Sequence, residues 1–140
     1  MLKKGLLTGL LGGVLWLVVM AGFDLYAHRP FSHTPKIMAT LILGTAHVNS
    51  LPIGLPYLLG AAESLMVFVL LGIVFVFLST LLPIEVSVVL GFIFGGATAY
   101  FLFFVLFCAL PKAGITELDR IGLVVGNLAV GVAFGLRMHK

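Results

Sequence analysis

The sequence predicts an all-α integral membrane protein, a bundle of four transmembrane helices with a short interfacial amphipathic helix between the first and the second. Hydrophobic residues make up 61% of the 140-residue chain and charged residues 9%, whereas a soluble domain carries about 25% charged residues. The mean hydropathy is +1.26. The apolar residues form four long stretches, at 5–27, 56–82, 86–110 and 115–136. About 20 apolar helical residues cross a bilayer, and the first three stretches meet that length. The apolar run of the fourth, residues 121–136, is shorter, and it becomes long enough only when the span begins at residue 115, with Glu117, Asp119 and Arg120 at its mouth.

The first predicted span, residues 5–27, ends where charged residues appear and Pro30 prevents the helix from continuing. A shorter helix is predicted at residues 35–47, with Thr34 as its N-cap and Pro35 as its first residue. Its apolar and polar residues fall on opposite sides at helical spacing, and the segment is too short to span. We therefore expect an amphipathic helix in the headgroup region, with a re-entrant segment as the alternative.

Proline and glycine residues separate the remaining spans. Pro83 leaves so short a connection between residues 56–82 and 86–110 that these two helices are expected to be tightly packed antiparallel neighbours. The fourth span, residues 115–136, follows Pro111. The sequence from Thr116 to Asp119 resembles a capping box, which would give its acidic residues a structural role at the start of the helix. Residues 1–140 therefore form a single membrane domain.

The distribution of charge indicates membrane lipids as partners and not nucleic acid. The eight Lys and Arg residues, which give a net charge of +3, lie singly or in pairs at predicted helix ends. Four spans place both termini on the same side, and Lys3 and Lys4 before the first span favour the cytoplasmic side. Cys108 is the single cysteine and carries no information on the redox compartment.

Glycines at a spacing of four recur on three of the spans, and this spacing lets helix backbones approach closely in lipid. We interpret them as helix-packing positions within the bundle, with contact to another subunit as the alternative: Gly5, Gly9, Gly13, Gly91, Gly95, Gly122, Gly126, Gly131 and Gly135. The third span also carries six phenylalanines that cannot all point into a four-helix bundle, so that some should face lipid or a partner: Phe92, Phe94, Phe101, Phe103, Phe104 and Phe107.

Four polar residues form a candidate functional cluster: Asp24, His28, His47 and Glu63. Glu63 lies about 10 Å into the second span at 1.5 Å per residue, and an ionisable residue at such a position is a functional candidate with a partner to be found. Asp24 and His28 are four residues apart and should share one helical face, so that the carboxylate could support a proton-accepting histidine. We favour the structural alternative, in which Glu63 anchors the bundle near the interface.

Metal and haem sites are not expected. The spacing of His28, His33 and His47 matches no metal-ligand motif, and every histidine lies at or beyond a predicted helix end. We therefore predict no metal, no cofactor, no catalytic residue and no enzymatic activity. Asn127 and Thr98 are interpreted as hydrogen-bonding groups between helices.

The order of features resembles an uncharacterised group of small four-helix bacterial integral membrane proteins. The resemblance is carried by a glycine-rich first span that ends in Asp24, by the motif His33-Thr34-Pro35-Lys36-Ile37-Met38-Ala39 that opens a short helix closing at Leu43-Gly44, and by three further spans. It implies the four-span topology in a bacterial membrane. We expect this to be the inner (cytoplasmic) membrane, and the lysines before the first span favour both termini in the cytoplasm. The resemblance implies no activity and no site.

Packing residues are abundant and no reaction centre is recognisable. We therefore expect a non-catalytic integral membrane accessory subunit that docks against other integral membrane subunits of a larger complex. An energy-transducing complex, respiratory or photosynthetic, is the assembly we favour. Two alternatives stay open: a small carrier or proton-handling protein that uses Glu63, Asp24 and His28, and a quinone-binding or lipid-binding module.

Overall fold

The computed structural model describes residues 1–81, 87–109 and 117–138, and this part of the chain contains six helices and no strand. At residues 41, 42, 45, 105–109 and 117–119 only the backbone is described. In chain order the helices are α1 (Leu2–Tyr26), α2 (His33–Leu43), α3 (Thr45–Ser50), α4 (Leu55–Ser79), α5 (Ser87–Ala109) and α6 (Glu117–Met138). The all-helical prediction is confirmed.

Four of these helices, α1, α4, α5 and α6, are long and apolar enough to cross a membrane. They coincide with the four predicted spans to within a few residues at either end. α1 begins earlier than predicted and includes Lys3 and Lys4, which are exposed in its first turn. α4 follows Gly54, whose φ is +99°, and carries Pro56 in its first turn, where the missing N–H removes no helical hydrogen bond.

The short helix predicted at residues 35–47 is two helices in the structure, α2 and α3. α2 begins at His33 with Ser32 as its N-cap, so the prediction that Thr34 is the N-cap and Pro35 the first helical residue is wrong. α2 ends at Gly44, where φ is +75° and ψ is 152°. Glycine adopts this backbone conformation without a steric penalty, so it can end one helix and begin the next within a single residue.

α1 and α4 pack against each other along the first predicted glycine stripe. A Cβ atom at Gly5 would lie 2.8 Å from the Cα of Ile73, and one at Gly13 would lie 2.9 Å from Cδ2 of Leu65. Between them Gly9 meets the α4 backbone, and a Cβ at Gly72 would lie 2.5 Å from the Gly9 Cα. The order of these contacts shows that α1 and α4 are antiparallel.

α5 and α6 form a second close pair, also through glycine. A Cβ at Gly95 would lie 2.5 Å from the Asn127 carbonyl oxygen, one at Gly131 would lie 2.8 Å from the Gly95 Cα, and one at Gly135 would lie 2.6 Å from the Ser87 carbonyl oxygen. A Cβ at Gly91 would meet the Gly131 carbonyl oxygen. Such contacts with backbone atoms leave no room for a larger residue.

α6 joins the two pairs because its other glycines face α1. A Cβ at Gly122 would lie 3.1 Å from the ring of Phe23, and one at Gly126 would lie 3.0 Å from the ring of Trp16. All nine predicted packing glycines therefore lie at contacts between helices of the same chain. The buried core at the centre of the bundle consists of Trp16, Met20, Met38, Phe68, Phe75, Leu123, Val130 and Phe134.

α4 and α5 are not the tight antiparallel hairpin that their short connection predicts. In the described part of the chain their backbones approach each other at few positions, and α5 packs closely on α6 instead. The rings of Phe75 and Phe94 nevertheless meet with centroids 5.3 Å apart, and Phe75 also contacts Phe134 at 5.4 Å. Large aromatic side chains thus fill the space between α4 and α5, whereas glycines bring the other pairs together.

Candidate functional site

Asp24 is buried at the end of α1, with 1% of its surface exposed. Its Oδ2 atom accepts a hydrogen bond of 2.9 Å from the backbone N–H of Thr34. Thr34 lies in the first turn of α2, whose N–H groups have no partner within the helix. A carboxylate at this position also complements the helix dipole. Asp24 therefore caps the first turn of α2, although it lies ten residues earlier in the chain, and this hydrogen bond links α2 to the end of α1.

His28 does not share a helical face with Asp24, and that prediction is wrong. α1 ends at Tyr26, so His28 lies beyond the helix, where it has a φ of +56° and an exposed side chain. Another histidine of this region, His33, does have a side-chain partner, since its Nε2 lies 3.0 Å from Nη1 of Arg29. The structure thus does not bring the carboxylate of Asp24 and the ring of His28 together as a proton-accepting pair.

His47 and Glu63 are the other two residues of the candidate cluster. His47 is exposed in the last turn of α3, and Glu63 is half-buried on α4. Within residues 1–81, 87–109 and 117–138, Glu63 makes no hydrogen bond or ion pair, and no group of three His, Cys, Asp or Glu residues could hold a metal ion. In the described part of the chain no hydrogen bond or ion pair joins the four candidate polar residues to one another, and Glu63 lies among apolar neighbours.

Glu63 lines a groove between α2 and α4 with a volume of about 240 Å³. We call it the Glu63 groove and define it by its lining residues, Ala39, Leu43, Leu59, Ala62, Glu63 and Met66. Apart from the glutamate, every described side chain that lines the groove is apolar. The groove therefore combines one carboxyl group with an otherwise hydrophobic wall.

The two helices that form the walls of the Glu63 groove, α2 and α4, are in direct contact at Gly60, and sequence reasoning missed this contact. Gly60, one turn before Glu63, lies against the Pro35 carbonyl oxygen, and a Cβ there would also come within 3.1 Å of the Ala39 backbone nitrogen. α2 therefore packs directly on α4, and Ala39 is 1% exposed. A signal existed in the sequence, since Gly60 interrupts an apolar span, but nothing local identified α2 as its partner.

Polar groups in α5 and α6 are used for packing, as predicted for Asn127 and Thr98. Asn127 is buried and donates through Nδ2 to the Leu123 carbonyl oxygen at 2.8 Å, while its Oδ1 lies 3.4 Å from the Thr98 hydroxyl. The Ser87 hydroxyl donates to the Gly135 carbonyl oxygen at 3.3 Å. These groups connect α5 and α6 through hydrogen bonds, which in lipid are worth about 1 kcal/mol or less each.

The α5 phenylalanines divide between the core and the outside. Phe94 packs inward against Phe75 and Phe134. The Phe103 ring lies 5.6 Å from the Arg120 guanidinium, a favourable cation–π distance. Three rings are more than half exposed: Phe92, Phe101 and Phe104. Phe101 and Phe104 are three residues apart and share one side of the helix, and we call these two the outer aromatic face of α5. Phe92 lies nine residues before Phe101 and therefore on the opposite side of the helix. The side chain of Phe107 lies outside the described residues.

Comparisons of the chain with protein-family models, with curated proteins and with solved structures find no match. The likeness to small four-helix bacterial membrane proteins therefore stays a prediction from the sequence. Function must be argued from the geometry of the bundle, the outer aromatic face of α5 and the Glu63 groove.

Proposed function

We propose that the chain is an integral membrane protein that crosses a bacterial inner membrane four times, with both termini in the cytoplasm. All four long helices direct large apolar side chains outward, and one example on each is Val18, Leu70, Ile93 and Leu136, with exposures of 64%, 64%, 61% and 54%. In water these faces would form extended apolar patches. In lipid they are the expected surface of a bundle whose helices satisfy their own backbone hydrogen bonds.

Within the membrane we propose a non-catalytic accessory role, in which the protein docks against other integral membrane subunits. The observation that carries this proposal is the outer aromatic face of α5. Phe101 and Phe104 are 65% and 59% exposed, while Gly91 and Gly95 of the same helix pack against the α6 backbone. Aromatic rings supply large contact areas with few rotatable bonds, so this face is the one suited to packing against a neighbouring helix.

A photo-crosslinking amino acid at Phe101 tests the docking role. The matched control is the same substitution at Leu70 on α4, which has the same degree of exposure, 64% against 65%. We expect position 101 to give a defined crosslinked protein in native membranes and position 70 to give none. If the crosslinked partner belongs to a respiratory or photosynthetic complex, the energy-transducing assembly is identified. Crosslinks to lipid alone at both positions would contradict the docking role.

A carrier or proton-handling function is the second candidate, and it depends on Glu63 alone. Glu63 has no partner in the described part of the chain, whereas Asp24 is bonded to Thr34 and His28 is exposed. An unpaired carboxyl group inside a span is the feature expected of a proton-handling site. Proteoliposomes with a pH gradient and an entrapped pH-sensitive dye would measure proton flux, and an identical flux with Glu63→Gln would remove this candidate.

The third alternative, a quinone site made by a histidine and a carboxylate, is less well supported. His47 is exposed on α3 and does not line the Glu63 groove. A lipid-binding role for the groove itself does not need a histidine.

A further inference from the structure

We propose that the Glu63 groove binds a single-chain lipophilic amine from the lipid phase. The protonated amine would contact the Glu63 carboxylate, and its hydrocarbon chain would lie along the apolar walls that α2 and α4 provide. The proposal uses the membrane location only as the source of the ligand, and it is independent of the docking role of α5.

The charge of the ligand follows from what surrounds Glu63. Its five neighbours in the groove are Ala39, Leu43, Leu59, Ala62 and Met66, and none of them can donate a side-chain hydrogen bond or carry a positive charge. Residues 1–81, 87–109 and 117–138 offer Glu63 no ion pair or hydrogen bond either. An isolated carboxylate beside apolar groups is costly unless it takes up a proton or is paired, and a cation that donates hydrogen bonds would provide the pairing.

The hydrocarbon part of the ligand follows from the other walls. Leu43 and Met66 provide flexible apolar side chains, and the small side chains of Ala39 and Ala62 leave the space between the helices unfilled. Methionine adapts its shape to an apolar ligand. A ligand that is cationic at one end and apolar along its length would therefore satisfy both parts of the groove.

The size of the groove selects a slender ligand. Its volume of about 240 Å³ is below the roughly 300–1,000 Å³ of sites for drug-sized molecules. α2 cannot easily move away to enlarge it, because Gly60 is in contact with the Pro35 carbonyl oxygen and Asp24 holds the first turn of α2 at Thr34. An alkylammonium ion should therefore fit.

The test uses the full-length chain in dodecyl maltoside micelles and three probes with the same chain length: octylammonium, octanol and octanoate. Equilibrium dialysis against protein-free micelles measures the excess of each probe that the protein binds. Because charge-assisted hydrogen bonds are roughly twice as strong as neutral ones, we expect octylammonium to bind at least about tenfold more tightly than octanol, a free-energy difference of about 1.4 kcal/mol. Octanoate should not bind.

Variants separate the groove from general partition into the micelle. Glu63→Gln should weaken octylammonium binding about tenfold and leave octanol unchanged, whereas the control Glu117→Gln, which also removes one carboxyl group, should behave like the unaltered chain. Ala62→Leu, at an exposed lining position, should obstruct the groove and weaken both probes.

The proposal is overturned if octylammonium binds no better than octanol, or if Glu63→Gln binds octylammonium as well as the unaltered protein. If Glu63→Gln does not fold, Ala62→Leu provides the test. An unchanged octylammonium affinity in that variant would mean that the ligand does not bind in the Glu63 groove, and the proposal would be wrong. The binding assay is done in detergent, so a negative result would leave the proposed membrane topology and the α5 crosslinking result unaffected. The topology, the docking role and the ligand site are therefore tested independently.

Discussion

Replacing Gly95 by alanine should loosen the α5 and α6 pair, whereas the same change at the adjacent Gly96 should not. A Cβ at position 95 would lie 2.5 Å from the Asn127 carbonyl oxygen and 3.1 Å from the Leu128 Cα. A Cβ at position 96 would meet only Cδ2 of Leu128, at 3.8 Å. The first contact is with backbone and cannot yield unless the helices separate, while the second is an ordinary van der Waals distance.

The difference between the two variants isolates the cost of this close contact. Both substitutions carry the same helix-propensity gain, up to about 1 kcal/mol for alanine over glycine in a helix interior. Overpacking costs about 1–3 kcal/mol. Gly96→Ala should therefore be neutral or slightly stabilising, and Gly95→Ala should unfold with a free energy about 1–3 kcal/mol lower than that of Gly96→Ala. Separation of the helices would also lengthen the Thr98 to Asn127 contact, which is already 3.4 Å.

Unfolding of both variants in dodecyl maltoside, titrated with sodium dodecyl sulfate and followed by circular dichroism, measures this difference. If the two variants unfold at the same detergent fraction, α5 and α6 do not meet at Gly95 and the glycine-based packing described above is incorrect. A stabilised Gly95→Ala variant would be still stronger evidence against it.

Three further substitutions test other contacts. Asp24→Ala removes the acceptor of the buried Thr34 N–H and should lower the free energy of unfolding by about 1–3 kcal/mol, while Asp24→Asn, which keeps an acceptor, should recover most of the loss in the same titration. Gly60→Ala should force α2 away from α4 at Pro35 and speed amide hydrogen exchange in α2; unchanged exchange there would show that the contact is absent. Asn127→Leu should cost about 1 kcal/mol or less, and a loss of several kcal/mol would mean that Asn127 has a larger role.

The length and composition of the apolar stretches are enough to predict the four long helices. The sequence shows where each helix must end, through Pro30, Gly54 and the charged residues between spans, and a run of apolar residues has few alternatives to a helix once water is excluded. The glycine spacing likewise indicates which faces allow close approach. These features are local, so a single sequence reveals them.

The pairing of the helices is not local, and here the sequence was misleading. The short connection after α4 suggested α5 as its close partner, but shape decides the pairing: Gly9 and Gly72 let α1 and α4 approach, whereas Phe75 and Phe94 hold α4 and α5 apart. Loop length limits how far apart two helix ends can be, and it does not determine which faces pack.

The candidate site was predictable only in part. Glu63 was identified by its position in an apolar span, but its neighbours Ala39 and Leu43 come from α2, whose place against α4 no sequence pattern indicated. The charge of Asp24 makes it a candidate, but its partner is the backbone N–H of Thr34, ten residues later. Every residue except proline has a backbone N–H, so the sequence does not show which one Asp24 contacts. The spacing of Asp24 and His28 predicts a shared helical face only if α1 continues to residue 28, whereas the helix ends at Tyr26.

The central claim is that α1, α4, α5 and α6 cross the membrane, and cysteine accessibility tests it most directly. With Cys108 replaced by serine, single cysteines at Lys3, Ile53 and Arg137 report the start of α1, the fully exposed turn before α4 and the end of α6. In intact cells an impermeant thiol reagent should label position 53 and leave positions 3 and 137 unlabelled until the membrane is opened. Labelling of positions 3 and 137 from opposite sides would contradict the four-span topology.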